Sequence, residues 1–197
     1  TQSVRMALGG EVVALDGKAL TFVDSNTVTL IWALDASTGA AKALTTGTRD
    51  QDAPAVSPDG QWLAYGVEGA GADDIWVVSS AGGEPRQLTR RSMDSSAPEW
   101  SPDGSRISFQ SVDGSETDIF IVDAKGGEPR NLTANPASDT QAQWSPDGNT
   151  LAFWSNRDGG GDIYIMPAEG GAARRITNMG TAEDGALWSP DGQSLLF

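Results

Sequence analysis

Residues 100–104 read Trp-Ser-Pro-Asp-Gly, and Ser-Pro-Asp-Gly recurs at 57–60, 101–104, 145–148 and 189–192, a constant spacing of 44 residues. Proline presets φ at the second position of a type I turn, aspartate suits the third, and glycine takes the left-handed φ that closes a tight hairpin. The tetrapeptide therefore predicts a link between two antiparallel strands, made four times over. The period extends well beyond the turn. The segments SPDGQWLAYGVEGAGADDIWVVSSAGGEPRQLT, SPDGSRISFQSVDGSETDIFIVDAKGGEPRNLT and SPDGNTLAFWSNRDGGGDIYIMPAEGGAARRIT end on Thr89, Thr133 and Thr177, again 44 apart. An earlier, worn copy runs from Ala14 through Ile31 and Trp32 to Thr45 without the Ser and Pro of the turn, and a fifth starts at Ser189 and stops at Phe197.

Each module contains four strands. A short one precedes the turn, at Ala97 to Trp100 or Ala142 to Trp144. After the turn, Ile107-Ser108-Phe109 and Leu151-Ala152-Phe153 place large residues at alternate positions, the period of a strand. Ile75 to Val78, Ile119 to Val122 and Ile163 to Met166 are apolar on both faces and so must be covered from both sides. The last segment, Glu84 to Thr89 and its copies, follows a Gly-Gly turn and contains proline and arginine, which suits an outer edge. Four antiparallel strands every 44 residues, with the middle ones buried on both faces and no helical periodicity, predict an all-β fold: a β-propeller of 44-residue, four-stranded antiparallel blades. Residues 1–197 then form a single propeller domain or a propeller fragment, with modules starting near 14, 57, 101, 145 and 189 and the fifth incomplete. Val4 to Leu8 could lend one strand to that fifth blade, and the count of strands predicts a piece of a larger ring or self-association that completes it.

These modules resemble the repeats of the TolB-like β-propeller family. The resemblance is carried by Trp144-Ser145-Pro146-Asp147-Gly148, Leu151-Ala152-Phe153, Asp162-Ile163-Tyr164, Gly170-Gly171 and Arg174-Arg175-Ile176-Thr177, and by their copies over residues 14 to 197. Such repeats occur in a translocation protein, in the non-catalytic propeller of prolyl-oligopeptidase-type serine peptidases and in many exported bacterial proteins. The resemblance thus implies a periplasmic or secreted setting and a scaffold for protein or peptide binding. It leaves open a gating propeller of a serine peptidase, and a calcium-binding propeller.

Composition narrows the chemistry. With 27 acidic and 13 basic residues the formal charge is −14, which argues against nucleic acid, since phosphate binding needs a basic surface. Cations, basic peptides or neutral protein surfaces are the expected partners, although such a charge also simply keeps a repetitive β protein soluble. No apolar run reaches the roughly 18 residues of a membrane-spanning helix, so membrane insertion is not expected. The chain has no histidine and no cysteine, so it can assemble neither a Ser-His-Asp nor a Cys-His nucleophile, nor a zinc site of imidazole or thiolate. No catalytic residues and no cofactor are expected, calcium being the one ion left open; the lack of cysteine leaves the redox compartment undecided.

Two candidate sites follow from the repeat. Seven to nine residues before each turn aspartate stand Asp50 and Asp52, Asp94, Asp139, then Glu183 and Asp184. Equivalent positions of a propeller lie on a circle, so these carboxylates predict an acidic ring at one mouth of the channel, able to attract calcium, a basic peptide or a substrate amine. The bland alternative is a set of solvated loop residues making Asx turns, with Arg49, Arg90 and Arg91 near enough to neutralise them. The second candidate is Asn156 to Asp162, whose Asp158 and Asp162 are spaced like ligands of a calcium loop but lack its closing glutamate; a polar hairpin would look the same. Asp74, Asp118 and Asp162, each opening the third strand, also read as structural acceptors of backbone N–H bonds. Trp100, Trp144 and Trp188, replaced once by Val56, predict inter-blade packing, and Trp154 a blade-edge indole suited to protein contact.

Overall fold

The computed structural model describes residues 13–15, 19–25, 28–35, 37–90, 93–178 and 185–197. The stretch Val4 to Leu8 lies outside them. Four four-stranded antiparallel sheets follow one another along the chain, each in sequence order, and the first two strands of a fifth come last. Blade 1 is β1 (Val13–Leu15), β2 (Ala19–Ser25), β3 (Thr29–Asp35) and β4 (Ala41–Ala43). Blade 2 is β5 (Gln51–Val56), β6 (Trp62–Val67), β7 (Asp74–Ser79) and β8 (Arg86–Gln87). Blade 3 is β9 (Ser95–Trp100), β10 (Arg106–Asp113), β11 (Glu116–Asp123) and β12 (Arg130–Asn131); blade 4 is β13 (Asp139–Trp144), β14 (Thr150–Ser155), β15 (Asp162–Pro167) and β16 (Arg174–Arg175). Blade 5 contributes β17 (Leu187–Trp188) and β18 (Leu195–Leu196). The first strands of successive sheets touch in order, β1 with β5, β5 with β9, β9 with β13 and β13 with β17, so they line the inside, while the short fourth strands stand at the outer edge, with Pro85 and Pro129 just before two of them.

The turn behaves as its composition predicts, with a partner the sequence reading overlooked. In blade 3 the Gly104 N–H closes the turn on the Ser101 carbonyl at 2.8 Å, with Gly104 at φ 69°. The Ser101 hydroxyl donates to Asp103 at 2.6 Å and accepts the Arg106 N–H at 2.9 Å, and Asp103 also accepts the Ser105 N–H at 3.0 Å. The same bonds recur around Asp59, Asp147 and Asp191. Serine thus pins the hairpin through its side chain, and aspartate holds the serine.

The inner strands are longer than the sequence reading placed them. Those of blades 2 to 4 begin five residues before the valine or tryptophan and run through a break in register, between Asp52 and Ala55, between Ser96 and Glu99 (opposite Ser108/Gln110) and between Thr140 and Gln143. At each break one residue takes positive φ, Ala53 at 44°, Ala97 at 48° and Gln141 at 55°, and the next equivalent, Gly185, sits at 74°. A β-bulge of this kind bends the strand and redirects the side chains on either side of it.

Among the described residues the core is divided. Apolar side chains form slabs between consecutive blades: Ile31 and Leu44 against Leu63, Tyr65 and Val78; Ile75, Val77 and Leu88 against Ile107 and Phe109; Ile119, Ile121 and Leu132 against Leu151, Phe153 and Met166; Ala152 and Ile163 against Ala186. The alternation on the second strand has a reason. Its large residues face the preceding blade, and the small one between them faces the next, where that blade's tryptophan lies. Trp144 donates its indole N–H to the Ser108 hydroxyl at 2.9 Å and packs in the next slab, as Trp100 does beside Ala64 and Trp188 beside Ala152. Each indole also reaches an inner-strand carbonyl of the blade before it: Trp100 to Ala55, Trp144 to Glu99 and Trp188 to Gln143, at 3.0 to 3.3 Å. The expected inter-blade role of these residues is therefore packing plus a hydrogen bond. At the outer edge a cation repeats the stitch: Lys42 donates to the Ala81 carbonyl, Arg86 to Ala124 and Lys125, and Arg130 to Glu169.

Candidate functional site

The carboxylates expected at the channel mouth come from three successive registers of the inner strand, and neighbouring strand residues point to opposite faces. Asp50 and Asp94 precede the strand and act as stitches: Asp50 accepts the Thr29 N–H at 2.6 Å and Asp94 the Asp73 N–H at 3.1 Å, each from the preceding blade. The Thr29 backbone bond, followed by the Thr29 hydroxyl, holds the Asp50 carboxyl below its usual range. Asp139 is one residue further on and fully buried. It is paired with Arg157 at 2.8 Å and accepts from Asn135 at 2.6 Å. The Arg157 guanidinium in turn lies 4.7 Å above the Tyr164 ring and 5.4 Å above Phe153, so this charge is neutralised inside the blade. Asp52 stands in the third register, on the exposed side of β5, opposite Gly66. Partial loss of water around it, and then the charge of Asp73, push its carboxyl up. Glu183 and Asp184 lie outside the described residues, as does Arg91.

Asp158 and Asp162 converge on one cation that the sequence reading did not assign to them. Arg175 of β16 makes a 2.5 Å ion pair with Asp162 and lies 3.8 Å from Asp158. Asp158 also accepts a short hydrogen bond from the Tyr164 hydroxyl; burial, and then that bond, push the Tyr164 phenol up to about 12. Among the described residues no group of three or more acidic, histidine or cysteine side chains is gathered so as to hold a metal ion.

Asp74 and Asp162, which open their third strands, and Asp118, two residues inside β11, are structural acceptors that take bonds from side chains. Asp74 accepts from Thr89 and Gln87, Asp118 from Thr133 and Asn131, and Asp162 from Thr177 and Arg175. Each threonine hydroxyl meanwhile accepts the N–H of Ile75, Ile119 or Ile163 at 2.9 Å. This latch fastens the outer strand to the third, and the constant spacing of these aspartates and threonines was its signal. Trp154 is half-buried, packed beside Ala152 and Ile163 and so close to Gly161 that a Cβ there would come within 2.5 Å of its indole. The exposed indole is Trp62, at 44%.

Blade-by-blade stacking with a fixed set of latches identifies the repeat, and the model of the TolB beta propeller domain matches residues 10–113 and 91–197. This chain belongs to the TolB beta propeller family. It is similar to TolB of Agrobacterium tumefaciens (24% identity, TM-score 0.75), covering 90% of this chain and 68% of that one, and to TolB of Acinetobacter baumannii (22%, 0.75), covering 94% and 48%. It is also similar to a puromycin-hydrolyzing peptidase of Mycobacterium tuberculosis (16%, 0.70), where 93% of this chain matches 34% of the peptidase. At these identities the likeness is one of fold. No curated protein sequence matches the chain. Among the described residues of this TolB-type propeller, no helix is long and apolar enough to cross a membrane.

Proposed function

We propose that this propeller is a non-enzymatic scaffold that binds a protein or peptide through the rim formed by the leading ends of its inner strands, in a periplasmic or secreted setting. The observation that supports this most directly is the contrast between Asp139 and Asp52. The first is neutralised by Arg157 within its own blade, whereas the second is exposed and faces the like charge of Asp73, with its carboxyl pushed up. A basic group from a partner relieves that repulsion, and a chain of charge −14 draws such a partner in from a distance. Asp50, Asp52 and Asp94 then act as a rim of one sign, with Asp139 as its buried support.

Calorimetric titration with acetyl-Lys-Gly-Lys-Gly-Lys-Gly-amide tests this reading. Salt-sensitive binding that weakens severalfold in a D52N/D73N double variant supports it; binding unchanged by the two substitutions, or none at low salt, removes the rim as the site. The likeness to a peptidase favours a second reading, a propeller that gates a serine hydrolase. A Gly-x-Ser-x-Gly motif and a histidine encoded in frame with these blades would decide for it.

A further inference from the structure

Blades 3 and 4 are joined at their turn ends by a guanidinium. Arg106 lies 5.0 Å above the Trp144 ring, pairs with Glu169 at 2.6 Å and donates to the Gly148 carbonyl at 3.4 Å. The corresponding residues between blades 2 and 3 stand 44 earlier in the sequence: Trp62, Trp100, Lys125 and Gly104. Here the guanidinium is missing. Trp62 does not fold inward in its place but stays 44% exposed, and a groove of about 760 Å³ opens beside Trp100. Pro58, Pro102, Asp59 and Asp103 complete its working walls.

Apart from Ala64, which stands where Ser108 accepts the Trp144 indole N–H, the backbone stitches of the interface are kept. Arg86 stitches the outer edge to Ala124 and Lys125 as Arg130 stitches it to Glu169, Trp100 bonds to Ala55 as Trp144 does to Glu99, and Pro58 packs on Gly104 as Pro102 does on Gly148. The opening is therefore a local substitution in an otherwise intact joint rather than loose packing. Its volume falls within the range of ligand pockets, several hundred Å³, and has room for a few residues of a peptide.

We infer that the groove between blades 2 and 3 receives an arginine side chain from an extended segment of a partner protein, stacked on Trp100 where Arg106 stacks on Trp144. This rests on the protein-binding reading above but concerns a different surface. Three carboxylates line the groove, Asp59, Asp103 and Asp123, against Arg86 and Lys125, and both terminal nitrogens of Arg86 are already spent on backbone carbonyls. Their hydrogen bonds keep Asp59 and Asp103 ionised well into acid. The ring face of Trp100 and the indole of Trp62 offer two aromatic surfaces to a planar cation. A guanidinium suits them better than an ammonium, because it is weakly hydrated and stacks flat.

The test follows tryptophan fluorescence while acetyl-Gly-Arg-Gly-amide is titrated into the 197-residue chain, with the citrulline and lysine peptides as controls. Saturable binding at least fivefold tighter for arginine than for citrulline is expected. Trp62→Arg, which supplies the internal guanidinium, should abolish binding while leaving Tm unchanged or higher. Lys125→Glu, an exposed change that restores the partner seen at Glu169, should tighten binding severalfold, and so tests the groove even if Trp62→Arg fails to fold. Equal binding of arginine and citrulline peptides, undiminished binding to folded Trp62→Arg, or weaker binding to Lys125→Glu overturns the inference. D52N/D73N should leave arginine-peptide binding in place. Loss of rim binding with groove binding kept, or the reverse, therefore separates failure of the general reading from failure of this one.

Discussion

Ser101 and Asp103 show how one residue's chemistry sets a hairpin. Ser101 is fully buried, and its hydroxyl serves both Asp103 and the Arg106 N–H. Ser101→Ala leaves that N–H without its side-chain acceptor, and a loss of about 1–3 kcal/mol in chemical denaturation is expected. Gly148 makes a separate demand. Its φ is 71° and an added Cβ would find only ordinary contact, 3.6 Å from Pro102, so Gly148→Ala isolates backbone strain, costing roughly 1 kcal/mol. The turn carboxylates also set the acid limit. Asp103, held mainly by the Ser101 hydroxyl, titrates at about 2, as does Asp35, and Asp59, Asp147 and Asp191 are lowered for the same reason. A carboxyl lowered on folding stabilises above its unfolded pKa, so Tm should fall as pH drops from about 4 towards 2. Asp52 has the opposite sign: raised on folding, it opposes folding once ionised, so D52N should raise Tm at neutral pH and lose that advantage below the Asp52 pKa.

Between elements, complementarity of size is the organising fact. Ala64, Ser108 and Ala152 each leave room for the next blade's Trp100, Trp144 or Trp188. In the first module Thr21 stands at the small position, Phe22 pairing with Trp32 as Tyr65 does with Trp76, and Val56 stands at the tryptophan position, so a slightly larger residue there goes with a smaller partner. Ala64→Leu alone should therefore overpack the joint and cost about 1–3 kcal/mol, and Trp100→Val alone should leave a cavity. Combined, they should cost clearly less than the sum, a coupling that a double-mutant cycle in urea measures directly. The Asp139–Arg157 pair behaves differently, because its carboxylate has no access to water. Arg157→Ala should cost about 3 kcal/mol at neutral pH, with Arg157→Lys recovering only part, since a lysine cannot stack on Tyr164 and pair at the same time.

For the whole molecule, cohesion comes from neighbour-to-neighbour slabs and stitches, as in other repeat proteins, and a net charge of −14 works against it. Screening that self-repulsion should raise Tm as sodium chloride increases from about 10 to 300 mM; a fall would mean that ion pairs such as Arg106–Glu169 outweigh it. What the sequence by itself determined is the repeat unit: its period, its turn, the order of its strands, the doubly buried third strand and the outer edge. All of these follow from local preferences and from alternation along a strand, which a single chain displays openly. The structural use of the third-strand aspartates and of the tryptophans was legible for the same reason, since both recur at 44 residues. Only the tertiary structure decided which charges are free. Asp50, Asp52 and Asp139 look alike in sequence, yet a one-residue change of register turns the side chain to another face: one caps Thr29, one stays exposed near Asp73, and one is buried on Arg157. Arg175 between Asp158 and Asp162, and the open groove beside Trp62, likewise depend on residues brought together across strands and blades, a relation that spacing along the chain does not carry.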